Sequence, residues 1–356
     1  MNQRVLKLME RLALDQREAV LVHNPSNMFY LSGYTGEGLV LIGREMQAII
    51  TDFRYTEQAE KQAPGFSVEM TEKGVSHEAI VGRLCAEHEI GALYYEDDYL
   101  TVRSFESCRK AVPGVEWKSL HEEVQHIRQI KDEDELSRIA EACRITGEAF
   151  ERLLPEIKEG MTEKELALKL EFDMLTHGAT GLAFSTIVAA GANGSLPHAV
   201  PGDYKVRLGD MITFDFGAKY NGYCADMTRT VALGQPSDEM RKVYQTVLTA
   251  QQTARDAVMA GKCCKDIDAI ARDYIYSHGY EGRFGHGLGH SVGIDIHEEP
   301  RLSMTCSAIL EENQIMTVEP GIYLPGVGGV RIEDSVIVKK DGCIPLTSPT
   351  RELIIL

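Results

Sequence analysis

A chain of 356 residues, 44% apolar and 26% charged, is long enough for two folded domains with sizeable cores. Its 37 Lys and Arg against 54 Asp and Glu leave a formal charge of −17, which excludes nucleic acid and anionic membranes as bulk partners. No apolar run approaches a membrane span, the N-terminus lacks the apolar core of a signal peptide, and the eight cysteines show no Cys-x-x-Cys spacing, so a cytoplasmic protein of reduced thiols is expected.

Residues 1–125 alternate short apolar runs with helical patterns, which predicts an α/β domain of its own. Strands are expected at 19–22, 39–42, 47–51, 92–95 and 115–118, and helices at 56–62, 77–87 and 102–110. Segments 27–34 and 51–55 stand out for clustered aromatic and polar residues, and read as a loop and a strand end packed by those aromatics.

The second domain is expected over 126–356. Lys131-Asp-Glu-Asp-Glu-Leu136 opens a long helix with acids in the first turn, where the helix dipole favours them. Thr162 is the expected N-cap of another helix, with Leu166, Leu168, Leu170 and Phe172 apolar and His177-Gly178 at its end. A strand at 186–190 leads into Gly191-Ala-Asn-Gly-Ser-Leu-Pro-His198. Helices at 237–260 and 265–278 follow the stretch 211–230.

That stretch holds two alternating runs around Asn221-Gly222, the strongest short-range hairpin signal, because both turn residues must take φ > 0. A two-residue turn there sets Tyr220 opposite Tyr223, Gly217 opposite Asp226 and Asp215 opposite Thr228. Asp215 and Asp226 are then diagonal neighbours on one face, roughly 7–8 Å apart at Cα. Two carboxylates aimed at one point repel unless a cation lies between them. The alternative is a pair of solvated acids on a hairpin, although Asp is depleted in strands.

Further along stand Phe284-Gly-His-Gly-Leu-Gly-His290, His297-Glu-Glu-Pro300, Val318-Glu-Pro-Gly321 and Arg331-Ile-Glu-Asp334. The interleaved glycines argue against a helix at 284–290, and in an extended chain His286 and His290 share a face. Glu319 and Glu333 each end an apolar run, and Arg331 shares a strand face with Glu333 while Asp334 points away. Asp215, Asp226, His290, Glu319 and Glu333 together offer four oxygen donors and one imidazole, which suits a pair of divalent first-row ions, Mn²⁺ above Co²⁺ or Zn²⁺.

These motifs resemble those of the pita-bread metallopeptidases, which comprise methionine aminopeptidase, aminopeptidase P and prolidase. Segments 27–34 and 51–55 are similar to the creatinase-type N-terminal domain of the proline-peptidase branch, whereas a methionine aminopeptidase would typically lack that domain and Arg331. The resemblance implies a curved antiparallel sheet backed by helices, with an internal pseudo-two-fold; the competing fold is a doubly wound parallel sheet. It implies hydrolysis of the N-terminal Xaa-Pro bond of dipeptides or short peptides, with Glu319 as both ligand and general base. His198 and His297 are implied to hydrogen-bond the scissile amide and developing oxyanion, and His286 to line the leaving-group side. Arg331 either orients the ligands or forks to a product carboxylate. A homodimer is implied, with the N-terminal domain reaching toward the partner's active site. The competing functions are a methionine aminopeptidase and a non-catalytic peptide-binding module on the same fold.

Overall fold

The computed structural model describes residues 2–356, which divide into one unit up to Arg128 and another from Gln129 to Leu356. In the first unit the apolar runs of the sequence become the strands of one mixed sheet. Its elements are α1 (Gln3–Arg11), β1 (Glu18–Val22), α2 (Pro25–Ser32), β2 (Leu39–Gly43), β3 (Gln47–Thr51), α3 (Thr56–Gln62), β4 (Ser67–Met70), α4 (His77–Glu87), β5 (Ala92–Tyr95), α5 (Val102–Ala111), β6 (Glu116–Ser119) and α6 (Glu123–Arg128). The strand order is β4-β3-β2-β1-β5-β6, antiparallel along β1-β2-β3 and parallel elsewhere. Leu21, Leu41, Ile50 and Leu93 pack beneath Ile80 and Leu84 of α4 in one core.

Two readings change here. Segment 27–34 is mostly helix, not loop. Asn24 accepts from the Ser26 N–H, Pro25 occupies the first turn, and Gly33 at φ 83° ends α2, so the start signal lies just before the aromatic cluster and the stop signal within it. Strand β4 was not foreseen, because it is a half-exposed edge with no apolar alternation to announce it.

In the second unit, two capping boxes start the first helix pair. Asp132 and Glu135 open α7 (Glu133–Leu153), and Thr162 and Glu165 open α8 (Glu163–Thr176). There follow β7 (Gly181–Leu182), β8 (Ile187–Ala190), β9 (Met211–Phe216), β10 (Ala218–Tyr220), β11 (Tyr223–Cys224) and β12 (Met227–Ala232). A second helix pair, α9 (Asp238–Asp256, capped by Ser237) and α10 (Cys264–Ser277), precedes β13 (Gly289–Ser291), β14 (Glu298–Leu302), β15 (Ile315–Val318), β16 (Gly321–Leu324), β17 (Gly328–Arg331), β18 (Asp334–Lys339) and β19 (Gly342–Pro345). Every ladder between these strands is antiparallel.

Each helix pair has its own core. Phe150 of α7 meets Phe214 and Phe216 of β9 at ring centroids 5.7 and 5.8 Å away, with Leu166 and Leu170 of α8 beside them. Val243, Val247, Ile267 and Ile275 of the second pair pack with Met316, Val318, Val336 and Val338. Leu168 and Phe172 do not join: they are 54% and 70% exposed, because residues two apart cannot share a helix face with Leu166 and Leu170.

Candidate metal centre

The hairpin sets the geometry of the centre. Asn221 and Gly222 have φ of 45° and 88°, both positive as a two-residue primed turn requires. Tyr220 faces Tyr223, Phe216 faces Met227, and Asp215 faces Thr228, so a single register runs from the turn through β9 and β12. Asp215 and Asp226 consequently both line a cavity of about 630 Å³. His198, His286, His290, His297, Glu319, Arg331 and Glu333 line the same cavity. These seven come from strands, strand ends or loops: His198 from the connection between β8 and β9, His286 from the loop before β13, His290 from β13, His297 just before β14, Glu319 just after β15, Arg331 closing β17, and Glu333 between β17 and β18. His286 is therefore not in a strand with His290; the glycines around it leave a turn there, which Tyr323 and Arg272 support.

Asp226, His290 and Glu333 each offer a ligand atom within 4.8 Å of the others. Glu319 Oε1 lies 3.4 Å from His290 Nε2, and Asp226 Oδ2 lies 3.5 Å from it. Asp215 borders the cavity with Oδ2 turned to Arg331 Nη2 at 2.6 Å. The His290 Nδ1–H donates to the Ser291 carbonyl at 3.1 Å, which leaves the Nε2 lone pair facing two carboxylates. Burial holds this imidazole neutral, pushing its pKa down to about 4. Burial, then repulsion from Glu333, Asp215 and Glu319, drives Asp226 well above the carboxylate range; burial first, then Glu319 and Asp215, does the same to Glu333. Glu319 is pushed up to about 8, chiefly by burial. Glu333 Oε2 accepts from the Thr228 hydroxyl at 2.8 Å, while its Oε1 is buried without a partner. Lone pairs converging on one point with an orphaned carboxylate oxygen fit a bound cation, because otherwise each buried acid must carry a proton. The donor set suits divalent ions.

Around the acids lies a supporting shell that the motifs did not reveal. Arg331 Nε donates to the Thr228 hydroxyl, Nη1 to the Tyr323 hydroxyl at 3.0 Å and to the Pro197 carbonyl, and Nη2 to Asp215. The Tyr323 hydroxyl in turn donates to His286 Nε2 at 2.9 Å, since the His286 Nδ1–H is given to the Gly287 carbonyl. Burial and Arg331 keep His286 neutral, at a pKa of about 4. In α10, Asp268 and Arg272 form a buried pair one turn apart. Arg272 donates to the Phe284 and His286 carbonyls, and Asp268 accepts from the Leu288 N–H, so the pair grips the loop of His286. Asp334 points away from the cavity and accepts from Arg229, Gln251, Thr347 and Arg351. The signal for the α10 pair was present: an acid and a base four apart on an otherwise apolar helix face.

Residues 137–340 match metallopeptidase family M24, and residues 3–130 match the creatinase/prolidase N-terminal domain. A Xaa-Pro dipeptidase from Pyrococcus horikoshii is 35% identical over 358 residues, covering 99% of each chain. Among solved structures, a Xaa-Pro dipeptidase from Bacillus anthracis superposes with a TM-score of 0.94 at 39% identity, covering 99% of this chain and 98% of that one. An X-Pro aminopeptidase from Thermotoga maritima MSB8 reaches 0.91, also at 39% identity, covering 98% and 99%. The family match contains every carboxylate and histidine that lines the cavity and spans over half of the sequence: the chain belongs to metallopeptidase family M24.

Proposed function

We propose that this chain hydrolyses the Xaa-Pro bond at a free peptide N-terminus, and that Asp215, Asp226, His290, Glu319 and Glu333 hold two divalent ions for that purpose. The observation that carries the reading is the buried, unpartnered Oε1 of Glu333 beside the His290 and Asp226 donors. Four carboxylates with one imidazole favour Mn²⁺, with Co²⁺ or Zn²⁺ as the other ions the set fits. Such ions, when bound, acidify a water and polarise the scissile carbonyl.

The protein's own groups then divide the remaining work. Glu319 accepts the proton of the attacking water at its carboxylate. His198 and His297, both exposed in the cavity, donate to the scissile amide and the developing oxyanion. His286 has its Nε2 committed to Tyr323, so it serves as a neutral wall on the leaving-group side. With Phe184, Ile187 and Ile296 it offers an apolar surface to a prolyl ring, whose nitrogen has no N–H to satisfy.

The finer assignment is to dipeptides. Arg331 has four of its N–H groups engaged by Thr228, Pro197, Tyr323 and Asp215, which fits the orienting role and leaves no fork for a product. Arg301 is the second guanidinium on the cavity; it is exposed and holds Glu299 Oε1 at 3.1 Å. It is our choice for the free carboxylate of Xaa-Pro. The test is kcat/KM on Ala-Pro, Ala-Pro-Ala, Ala-Ala-Ala and Met-Ala-Ser with Mn²⁺ present. Ala-Pro is expected to lead, and Arg301→Gln to raise its KM about tenfold, one charge-assisted hydrogen bond. A preference for Ala-Pro-Ala makes the chain an aminopeptidase, equal or better rates on the last two peptides overturn the proline reading, with Met-Ala-Ser alone in the lead pointing to methionine removal, and no turnover at all leaves a binding module.

We further propose a homodimer in the cytoplasm. Large apolar side chains stand exposed at Leu196, Val200 and Leu208, and all eight cysteines are free thiols, as a reducing compartment keeps them. No helix among the described residues is long and apolar enough to cross a membrane. Sedimentation at assay concentration tests the dimer.

A further inference from the structure

His198 stands on a long connection that leaves β8 at Ala190 and reaches β9 only at Met211. Its imidazole is exposed and has no hydrogen-bond partner among the described residues. The space its imidazole can reach is set by where the backbone places its Cα and Cβ. Beside the pairing of Ala190 with Ile212 and the Lys164 N–H to Gly202 carbonyl bond, one buried acid ties the two ends of that backbone together. Glu163 is the first residue of α8 and is 1% exposed. Its Oε1 accepts from the Ala190 N–H at 2.8 Å and from Asn193 Nδ2 at 3.0 Å. Its Oε2 accepts from the Gly202 N–H at 3.1 Å. A single carboxylate thus joins both ends of the 190–202 segment. Inside the segment, Pro197 O accepts from Arg331 Nη1 at 3.3 Å, and Gly194 O sits so close to Gly329 that a Cβ there would fall 2.0 Å from it. The loop is braced against β17 on one side and closed by Glu163 on the other, with His198 between.

We infer that Glu163 is a positioning residue for the reaction, aiming His198 into the cavity by closing its loop; this rests on the role given to His198 above. A carboxylate is needed because both of its oxygens face donors. Glutamine has the same shape but one acceptor oxygen. Its amide oxygen can keep Ala190 and Asn193, and its NH₂ then meets the Gly202 N–H donor to donor. Glu163→Gln loses the side-chain hold on the Gly202 N–H without opening a cavity, while the backbone bonds from the Lys164 N–H to the Gly202 carbonyl and from the Glu163 N–H to the Tyr204 carbonyl remain. A carboxylate at a helix N-terminus also stabilises the helix, so a loss of stability alone does not distinguish positioning from support.

The test is a double-mutant cycle of Glu163→Gln and His198→Ala in the Mn²⁺-loaded enzyme, read as kcat and KM on Ala-Pro. Amide hydrogen exchange over 190–202 is the second readout. His198→Ala is expected to lower kcat about 10²-fold, the cost of one oxyanion-type donor. Glu163→Gln is expected to lower kcat on the order of 10-fold to 10²-fold with KM little changed, as a misplaced group does, and to speed exchange within the loop. Placed on His198→Ala, the same change is expected to cost less than about threefold, because its effect has no remaining target. An equal loss in both backgrounds overturns the inference while His198 keeps its role. His198→Ala at the wild-type rate overturns that role, and the inference with it. Should Glu163→Gln fail to fold, Asn193→Ala, which removes one donor of the three, decides by the same cycle.

Discussion

Arg331 Nη2 lies 2.6 Å from Asp215 Oδ2, which ties the end of β17 to the strand that starts the hairpin. Both side chains are nearly out of water, 4% and 15% exposed. A lysine keeps the charge but cannot reach Asp215, Tyr323 and Thr228 together, since only a planar fork presents donors in those directions. Arg331→Lys is expected to lower kcat/KM about 10²-fold, a loss of orientation of the acid and of His286 through Tyr323. Activity within tenfold of wild type would show that the guanidinium merely fills space.

Chelation of divalent ions is expected to abolish turnover, and Mn²⁺ to restore it. Binding to the folded state alone also raises stability, by about 2.7 kcal/mol at a hundredfold excess over Kd, so the melting temperature should climb with added Mn²⁺. Glu333→Gln, which weakens the orphaned donor, should blunt that climb. Full activity after exhaustive metal removal contradicts the centre.

The pair Asp268 and Arg272 separates support of the site from support of the fold. Arg272→Met leaves Asp268 buried without its cation and is expected to cost about 3–5 kcal/mol of stability. Replacing both, as Asp268→Leu with Arg272→Met, should recover the part of that loss due to the unpaired buried charge. It should not recover activity, because the Phe284 and His286 carbonyls and the Leu288 N–H stay unheld. A double variant both stable and fully active would assign the pair to packing alone.

In the first unit, burial pushes His23 down to about 4 from an ordinary 6.5, against a weaker opposing pull from Glu78. Its Nδ1 is buried without a partner. Between those two values the unfolded chain binds the extra proton, so stability rises with pH there. The contribution of neutral His23 is complete above about 6.5 and is lost as pH falls toward about 4. His23→Leu should therefore lose less stability than wild type between about pH 7 and about pH 4.5, read as the shift in urea midpoint. Equal shifts in the two proteins would place the titration elsewhere.

The hairpin was legible because its causes are local. Asn221-Gly222 specifies the turn, the turn specifies the register, and the register puts Asp215 and Asp226 on one face. The helix starts after Lys131 and at Thr162 were legible for the same reason: acids of a first turn, and a cap with its partner, lie within one turn of chain. Spacing alone served less well where the chain is irregular. His286 and His290 were expected to share a strand face, yet only His290 lies in a strand, and glycine-rich chain carries no period from which this can be told.

Which side chains serve the centre from outside the motifs depended on contacts across the fold. Thr228 reaches Glu333, Tyr323 bridges His286 and Arg331, and Glu163 closes the loop of His198, across separations that local pattern does not encode. The same is true of the charge states. Asp226 and Glu333 read in sequence as candidate ligands with no charge state attached; burial, and the neighbouring carboxylates second, is what raises them, and that burial exists only once β9, β12, β15 and β17 have come together. Local backbone preference determines where strands turn and helices begin, but desolvation and hydrogen-bond partnership depend on the whole packed chain, and those turn a row of acids into a site for cations.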